Sequence, residues 1–292
     1  MRAIKENAWA KINLYLDVTE KRADGYHSVR SIMHAIDLFD VITVIVAKEE
    51  RRDIRLFITG RDILPTGNKN LAYKAAELYL DRAGITAKVR INIEKRIPVS
   101  AGLAGGSTDA AATLRALNRI YGHFTDRALL ELSAELGSDV PFCLVGGTAL
   151  CEGRGEIITR LPTPKKEHFV VAISDEHVST PWAYGALDKL YSDFDGSVPT
   201  PSGEKLLIQR ETIESGEIDR AALYNVFEEA ILPEFPGAVG IKSRLIALGA
   251  SAALMSGSGP SVFGIFDTPE AAEAARDSLL AEGIRAYVAT SA

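Results

Sequence analysis

The chain has 292 residues and a formal net charge of −6, with 47% hydrophobic and 25% charged residues. This length allows one large or two ordinary domains, each with a hydrophobic core, and the composition is typical of a soluble globular protein. The acidic balance argues against a general nucleic-acid or membrane-surface binder, because the surface field of such a protein would be basic.

The chain contains two cysteines, Cys143 and Cys151, both in apolar sequence surroundings. They predict reduced core residues of a cytosolic protein, and their spacing is not that of a zinc site. The first residues lack an uninterrupted apolar run, and no window approaches a membrane span. We therefore expect a cytoplasmic protein with neither a membrane nor a nucleic-acid partner.

The first predicted strand covers residues 8–18, where apolar and polar residues partly alternate. Lys11 and Asn13 lie two apart and so share one face of this strand. Asp24-Gly25 predicts a chain reversal, which puts Tyr26 and His27 at the mouth of a hairpin. These positions are also compatible with a snorkelling lysine and with ordinary surface residues beside a turn.

The next elements indicate a mixture of strands and helices. A helix is predicted over 71–83, with Asn70 as its N-cap and Gly84 as its stop. Strands are predicted on either side of it, at 29–38, 41–47, 54–59 and 87–94. This order favours an α/β mixture over a regular βαβ alternation.

A glycine-rich loop, residues 98–106, leads directly into a helix that ends at Gly122. Ser107, Thr108 and Asp109 are candidate caps for its start. A loop of this kind presents unpaired backbone N–H groups and the positive end of the helix dipole to one point, which is typical of a phosphate site. The loop matches neither the Walker nor the dinucleotide pattern, so a tight strand-to-helix turn built for packing stays an alternative.

A shorter helix is predicted at 126–135, followed by the segment SDVPFCL. Asp139 stands there in apolar company before Pro141, so we expect it to be at least partly buried. A buried carboxylate needs a partner, either a backbone N–H at a cap or turn, or a lysine elsewhere in the chain. A hairpin with EGRGE at its tip follows, and a domain boundary is expected near residues 160–167.

The second half begins with a strand at 169–174 and a helix that Thr180 caps and Pro181 starts. A polar loop is predicted at 192–203. The remaining predictions are helices at 204–214, 219–232, 236–248 and 269–282, and strands at 251–255, 261–266 and 284–290. This order is that of a ferredoxin-like half. The SGSGP loop, residues 256–260, joins two adjacent strands and leaves bare backbone at its surface.

Three segments together resemble the GHMP kinases, a family of small-molecule kinases: AWAKINLYL, PVSAGLAGGST and MSGSGPSVFGIF. Their order and spacing extend across nearly the whole chain. The resemblance implies an α+β (mixed α/β) fold of two domains, an S5-like domain over 1–162 and a ferredoxin-like domain over 163–292. It also implies an active site in the cleft between those domains. The expected oligomeric state is a monomer or homodimer.

Two further segments, residues 10–40 and 136–156, are similar to one branch of the family. Its members use ATP to phosphorylate the 2-hydroxyl of a cytidine diphosphate-linked methylerythritol in the non-mevalonate isoprenoid pathway. The Asp-Gly-Tyr-His hairpin favours this substrate over homoserine, mevalonate or a sugar. A non-catalytic nucleotide-binding regulatory module is a further alternative, although such a module would not need both Lys11 and Asp139.

The resemblance also implies roles for individual residues. The catalytic lysine and aspartate correspond to Lys11 and Asp139, and a Mg²⁺ ligand to Ser107 or Thr108. The positions that correspond to ATP-binding residues are Pro98, Val99, Ser100, Ala101, Gly102, Leu103, Ala104, Gly105, Gly106, Ser107, Thr108 and, near the adenine, Asn70. Those that correspond to substrate-binding residues are Asn13, Tyr26, His27, Thr180, Tyr184, Gly257 and Gly259, with Tyr26 and Tyr184 on either side of the cytosine ring.

The chain departs from the family pattern at two places. The loop reads GLAGGS where GLGGGS is common, so Ala104 must adopt a negative φ or be strained. Asn225-Val226 stands where Asn-Asp is usual, so the helix predicted at 219–232 lacks one carboxylate that the family usually has there. Neither departure touches the predicted catalytic pair.

Overall fold

The structure is a computed structural model that describes residues 1–60, 64–165, 167–191 and 203–292. Residues 192–202 of the predicted polar loop lie outside the described residues. The strands are β1 Arg2–Lys21, β2 His27–Lys48, β3 Asp53–Thr59, β4 Ala87–Glu94, β5 Thr148–Gly153, β6 Ile157–Leu161, β7 His168–Ile173, β8 Tyr224–Asn225, β9 Ala252–Met255, β10 Ser261–Phe266 and β11 Arg285–Thr290. The helices are α1 Leu71–Ala83, α2 Gly105–Tyr121, α3 Asp126–Ala134, α4 Val140–Val145, α5 Thr180–Leu190, α6 Gly203–Glu214, α7 Phe227–Ile231, α8 Pro236–Ala247 and α9 Pro269–Ala281.

The first of two compact units consists of Met1–Ala10, Phe39–Val99 and Ala104–Gly146. Its sheet has β3 parallel to β4 and β4 antiparallel to β2. Alternate residues of β4 are buried, because every second side chain of a strand points to the same face. Helices α1 to α4 belong to this unit, and α1 packs along α2.

The second unit consists of Lys11–Leu38, Ser100–Leu103 and Gly147–Ala292. Its four-stranded sheet has the order β11-β7-β10-β9, with antiparallel pairs throughout. Taken in chain order, this is the arrangement of a ferredoxin-like fold, as the sequence predicts. Its core includes Val170, Phe227, Leu245, Val262 and Leu279.

Several predicted elements have the expected bounds. Helix α1 begins after Asn70, whose side chain accepts a hydrogen bond from the Ala72 N–H, and it ends at Gly84 in the left-handed conformation. Strand β4 also has its predicted limits, and β5 and β6 form the predicted hairpin. Cys143 and Cys151 are buried, as expected.

Other local predictions are wrong. The runs at 29–38 and 41–47 form one strand, β2, because nothing breaks the backbone at Asp40, whose carboxylate accepts hydrogen bonds from backbone N–H groups of another segment. The helix predicted at 219–232 is replaced by β8 and the short α7. Tyr224 and Asn225 instead pair in parallel with Tyr15 and Leu16 of β1.

The caps predicted for helices α2 and α5 are also wrong. Helix α2 begins at Gly105, two residues before the predicted caps, and Ala104 occupies its N-cap position. Helix α5 is capped by Ser179, whose hydroxyl accepts from the Trp182 N–H, and Thr180 is its first helical residue. Among the described residues, no helix has the length and apolarity needed to cross a membrane.

Candidate active site

The start of α2 presents free backbone donors. Ala104 occupies its N-cap position with φ 57° and ψ 27°, and the methyl side chain of this residue cannot cap the helix. The Thr108 N–H bonds to the Ala104 carbonyl, so the N–H groups of residues 105–107 precede the first intrahelical bond. An uncapped start of a 17-residue helix favours an anion through these donors and through the helix dipole.

A buried charge cluster supports this helix start from within the first unit. Lys95 Nζ lies 2.5 Å from Asp40 Oδ2 and 2.8 Å from Asp109 Oδ2, and all three side chains are at most 3% exposed. Asp40 Oδ1 also accepts from the backbone N–H groups of Arg96 and Ile97. The cluster therefore joins the interior of β2 and the segment entering the loop to the start of α2.

Burial dominates the electrostatics of this cluster. It raises the pKa of the Asp109 carboxyl well above its ordinary value, although the positive charge of Lys95 opposes the change. Burial would lower the pKa of Lys95, but the charges of Asp109 and Asp40 outweigh it and raise that pKa. Asp109 Oδ1 is buried and has no hydrogen-bond partner among the described residues.

The remaining candidates in the first unit have mixed environments. Pro98 is buried and Val99 is exposed. The Thr108 hydroxyl donates to the Gly105 carbonyl, whereas Ser107 is half-buried at the helix start. Asn70 serves as the cap of α1, and its amide also donates to the Pro65 carbonyl.

Asp139 stands at the N-cap position of α4 and is partly buried, as expected. Its side chain makes no capping hydrogen bond, so the cap interpretation of this residue is wrong. Asp139 belongs to the first unit and Lys11 to the second, and their pairing stays a prediction.

Lys11 lies at the centre of a buried polar network in the second unit. Its Nζ donates to Asn13 Oδ1 at 2.7 Å and to the Gly102 carbonyl at 2.9 Å. Asn13 Nδ2 donates to Ser31 Oγ, which donates to the Tyr15 carbonyl. Lys11 and Asn13 are 3% and 1% exposed, so this lysine does not snorkel to solvent.

The SGSGP loop closes the same network. The Gly257 N–H donates to Asn13 Oδ1 at 2.9 Å, and Ser256 Oγ donates to the Gly102 carbonyl. Gly257 and Gly259 have φ values of 58° and 78°. A methyl group at position 257 would lie 3.0 Å from the Gly102 carbonyl oxygen and 3.2 Å from Lys11 Nζ, so this close approach and the positive φ both favour glycine.

A second group of candidates surrounds His27. Its ring stacks on Tyr184, with centroids 4.7 Å apart, and its Nε2 lies 2.7 Å from Asp188 Oδ1. Lys21 also pairs with Asp188. Burial opposes ionisation of Asp188, but hydrogen bonds from Lys21 and His27 outweigh it and lower its pKa.

Tyr26 and Tyr184 contact different side chains. Tyr26 is 54% exposed with the Arg154 guanidinium 5.1 Å from its ring centre, whereas Tyr184 packs on His27 and Phe227. Thr180 Oγ1 forms a hydrogen bond with Ser258 Oγ of the SGSGP loop. The structure thus brings together Lys11, Asn13, Gly102 and Gly257 in one network, and His27 with Tyr184 in another.

Sequence reasoning missed several residues that hold these groups in place: Ser31, Asp40, Lys95, Asp188, Asn225 and Ser256. Lys95 had a usable signal, since it stands just before the glycine-rich loop. Asn225 stands in a family pattern and Ser256 in the SGSGP loop, but no local pattern shows their distant partners. The remaining three have no signal, because their partners lie far away in the chain. Among the described residues, no three His, Cys, Asp or Glu side chains are grouped to hold a metal ion.

Comparisons with known proteins agree with this architecture. The model described as GHMP kinases N terminal domain matches residues 70–147, and that described as GHMP kinases C terminal matches residues 205–285. Relatives named 4-diphosphocytidyl-2-C-methyl-D-erythritol kinase occur in Caldicellulosiruptor saccharolyticus, at 44% identity over 93% of this chain and 91% of the relative, and in Gloeobacter violaceus, at 40% over 99% and 91%.

Solved structures extend the agreement to the fold. A crystal structure of 4-(cytidine 5'-diphospho)-2C-methyl-D-erythritol kinase is 37% identical, with a TM-score of 0.78 and 98% of both chains covered. Homoserine kinase from Cytophaga hutchinsonii has a TM-score of 0.75 at 21% identity over 100% of this chain and 95% of its own, which is a likeness of fold alone. The expected mixed α/β fold is confirmed, and the chain belongs to the GHMP kinase family.

Proposed function

We propose that the chain transfers the γ-phosphoryl group of ATP to the 2-hydroxyl of 4-diphosphocytidyl-2-C-methyl-D-erythritol, giving the 2-phosphate and ADP. The names of the relatives at 40–44% identity support this reaction. The observation that carries it is the buried Lys11 ammonium, held by two neutral oxygens. No carboxylate among the described residues of its own unit forms an ion pair with Lys11, which favours an anionic group beside this ammonium.

The loop at the start of α2 suits the phosphates of ATP. Phosphoryl transfer depends on placement and charge stabilisation more than on covalent chemistry. The N–H groups of residues 105–107 would donate to phosphate oxygens, and Pro98 to Leu103 would form the wall of that subsite. Asn70 would lie near the adenine, although its side chain already caps α1.

Asp139 and Lys11 have complementary roles in this proposal. Asp139 would accept the proton of the 2-hydroxyl as general base, which its missing cap interaction leaves it free to do. Lys11 would stabilise the negative charge that develops on the attacking oxygen. Both roles follow from the resemblance, and the network around Lys11 supplies the rigid placement that such a role requires.

Mg²⁺ is compatible with these residues. Kinase sites hold this ion through one or two protein ligands plus the substrate phosphates, so a dedicated carboxylate cage is not needed. Ser107 would be the protein ligand, because the Thr108 hydroxyl already donates to Gly105. When bound, the ion would neutralise charge on the phosphate oxygens.

The cytidine moiety would bind at the hairpin mouth. Tyr26 and Tyr184 would pack on the two faces of the ring, and His27 would bond to its edge. Tyr184 packs on His27 in this structure, so the ring would have to displace that contact. Asn13, Thr180, Gly257 and Gly259 are proposed to contact the methylerythritol diphosphate part.

The test is ADP release by purified protein with Mg-ATP and one acceptor alcohol at a time. The acceptors are 4-diphosphocytidyl-2-C-methylerythritol, homoserine, mevalonate and galactose. Turnover on the cytidylated alcohol alone is expected. Turnover on another alcohol would contradict the substrate assignment, and ATP binding without any turnover would favour a regulatory module.

Three coarser proposals accompany the reaction. We propose a domain boundary after residue 162, because the two family-model matches lie on either side of it. We also propose a cytoplasmic location, and a monomer or homodimer as the active species. Size-exclusion chromatography with light scattering tests the last proposal.

A further inference from the structure

We propose that Asn225 is a positioning residue that holds the Lys11 ammonium in place through the SGSGP loop. This inference rests on the proposed function, because it gives Lys11 the transition-state role described above. It concerns a residue that makes no predicted contact with ATP or with the acceptor. Every contact in the argument lies within the second unit.

Asn225 uses its whole side chain as a clamp on the loop. Its Nδ2 donates to the Met255 carbonyl at 2.7 Å and to the Gly257 carbonyl at 2.8 Å. Its Oδ1 accepts from the Phe227 N–H at 3.0 Å. Only an amide offers two donors and one acceptor in this geometry, and the residue is 2% exposed, so water does not compete for these groups.

The backbone around Asn225 is itself anchored to the strand that carries Lys11. Asn225 pairs with Leu16 in the parallel ladder of β8 and β1, and the Val226 N–H donates to the Leu16 carbonyl. The clamp therefore fixes the loop relative to β1. The sequence pattern predicts a helix here, and the structure has the short strand β8.

Gly257 connects the loop that Asn225 holds to the hydrogen-bond acceptors of Lys11. The carbonyl of Gly257 is held by Asn225, and its N–H donates to Asn13 Oδ1, which also accepts from Lys11 Nζ. The Gly102 carbonyl, the other acceptor of Lys11, accepts from Ser256 Oγ as well. Both acceptors that orient the ammonium thus depend on residues 256 and 257.

The substitution Asn225→Asp tests the clamp with almost no change in size. It keeps the acceptor for Phe227 but places a carboxylate oxygen against two carbonyl oxygens, so both donors are lost. We expect kcat to fall about ten- to hundredfold, because a small misplacement of a catalytic group has costs of that order. The KM for ATP should stay within about twofold, since the predicted phosphate donors of α2 belong to the other unit.

Asn118→Asp is the matched control. Asn118 is an asparagine of the first unit whose amide donates to the Phe124 carbonyl and whose Oδ1 accepts from the Phe124 N–H. The same exchange there removes a comparable loop clamp with no path to Lys11. We expect its kcat to stay within about threefold of wild type, after correction for the folded fraction by circular dichroism.

A double-mutant cycle separates positioning from general structural damage. If Asn225 acts through Lys11, Asn225→Asp should lower kcat by less than about threefold in a Lys11→Ala background. A merely structural role would give the same fold loss in both backgrounds, which would overturn the inference. Asn225→Ala, which adds no charge, takes the place of Asn225→Asp in the cycle if the aspartate variant does not fold.

The outcomes for the two proposals are distinct. Wild-type protein that turns over no acceptor contradicts the proposed function before any variant is made. An active wild type together with Asn225→Asp at full kcat contradicts the positioning role alone. An equal rise in the KM for both substrates with unchanged kcat would also contradict it, because that pattern indicates lost ground-state binding.

Discussion

Lys95 and Asp109 form a buried ion pair, with 2.8 Å between Nζ and Oδ2, directly under the first turn of the helix that carries the predicted phosphate donors. The two residues are 14 positions apart, one before the glycine-rich loop and one after it. The pair therefore closes the base of that loop. Its contribution to stability is the first quantity to measure.

Lys95→Met should lower the free energy of unfolding by about 3–5 kcal/mol, because Asp40 and Asp109 would stay buried without their cation. Arg82→Met is the control, since it removes an exposed pair with Glu135 and should change that free energy by less than about 1 kcal/mol. Urea unfolding followed by circular dichroism measures both. Equal losses of unfolding free energy in the two variants would contradict the prediction that the buried cluster stabilises the protein more than an exposed ion pair does.

Ala104→Gly should raise the free energy of unfolding by up to about 1 kcal/mol. The left-handed conformation costs a residue with a Cβ about 1–2 kcal/mol, and the added chain entropy of glycine offsets part of that gain. Ala274→Gly, on an exposed turn of α9, should instead lower it by about 1 kcal/mol. Loss of stability in both variants would refute strain at position 104.

Acid should destabilise the protein through His34. This residue is buried between Thr148 Oγ1 and Ser291 Oγ, and burial lowers its pKa to about 4. The imidazole therefore takes up a proton near pH 6.5 in the unfolded chain, but only near pH 4 in the folded chain. Its contribution to the free energy of unfolding is present above pH 6.5 and is lost as pH falls towards 4. The loss from this group is on the order of 3 kcal/mol.

His34→Gln removes the titrating group while keeping a polar side chain. Chemical unfolding of wild type and variant at several pH values between 7 and 4 gives the two slopes. The wild-type curve should fall more steeply with acid than that of the variant. Parallel curves would show that His34 is not the group responsible.

Asp139→Asn should lower kcat by about two to four decades with little change in ATP affinity, as expected for loss of a general base. Asp126→Asn, at the exposed start of α3 in the same unit, should leave kcat within about twofold. Steady-state ADP release and a separate ATP titration supply the two readouts. Near-wild-type turnover of the Asp139 variant would contradict the general-base role of Asp139.

Tyr26→Ala should raise the KM for the cytidylated acceptor and leave the KM for ATP unchanged, because the side chain would stack on the cytosine ring. The ring is already 54% exposed, so its removal should cost little stability. Initial rates with each substrate varied in turn separate the two constants. A parallel rise in both constants would indicate a structural role for Tyr26.

Sequence patterns alone determined the elements whose limits are set by neighbours in the chain. Helix α1 starts and stops where Asn70 and Gly84 put it, because both caps act within a few residues. Strand β4 follows from alternation, and the hairpin of β5 and β6 follows from its turn. The three motifs also indicated the family that the comparisons establish.

Tertiary structure decided the features whose partners are distant in sequence. Lys95 meets Asp40 across 55 positions, and Asn225 meets Gly257 across 32. No local pattern encodes these pairs, so the sequence alone predicts a helix cap at Asp109 and a helix at Asn225. Buried polar groups must find partners wherever the fold offers them, and that demand outweighs the weaker local preference for a helix or a cap.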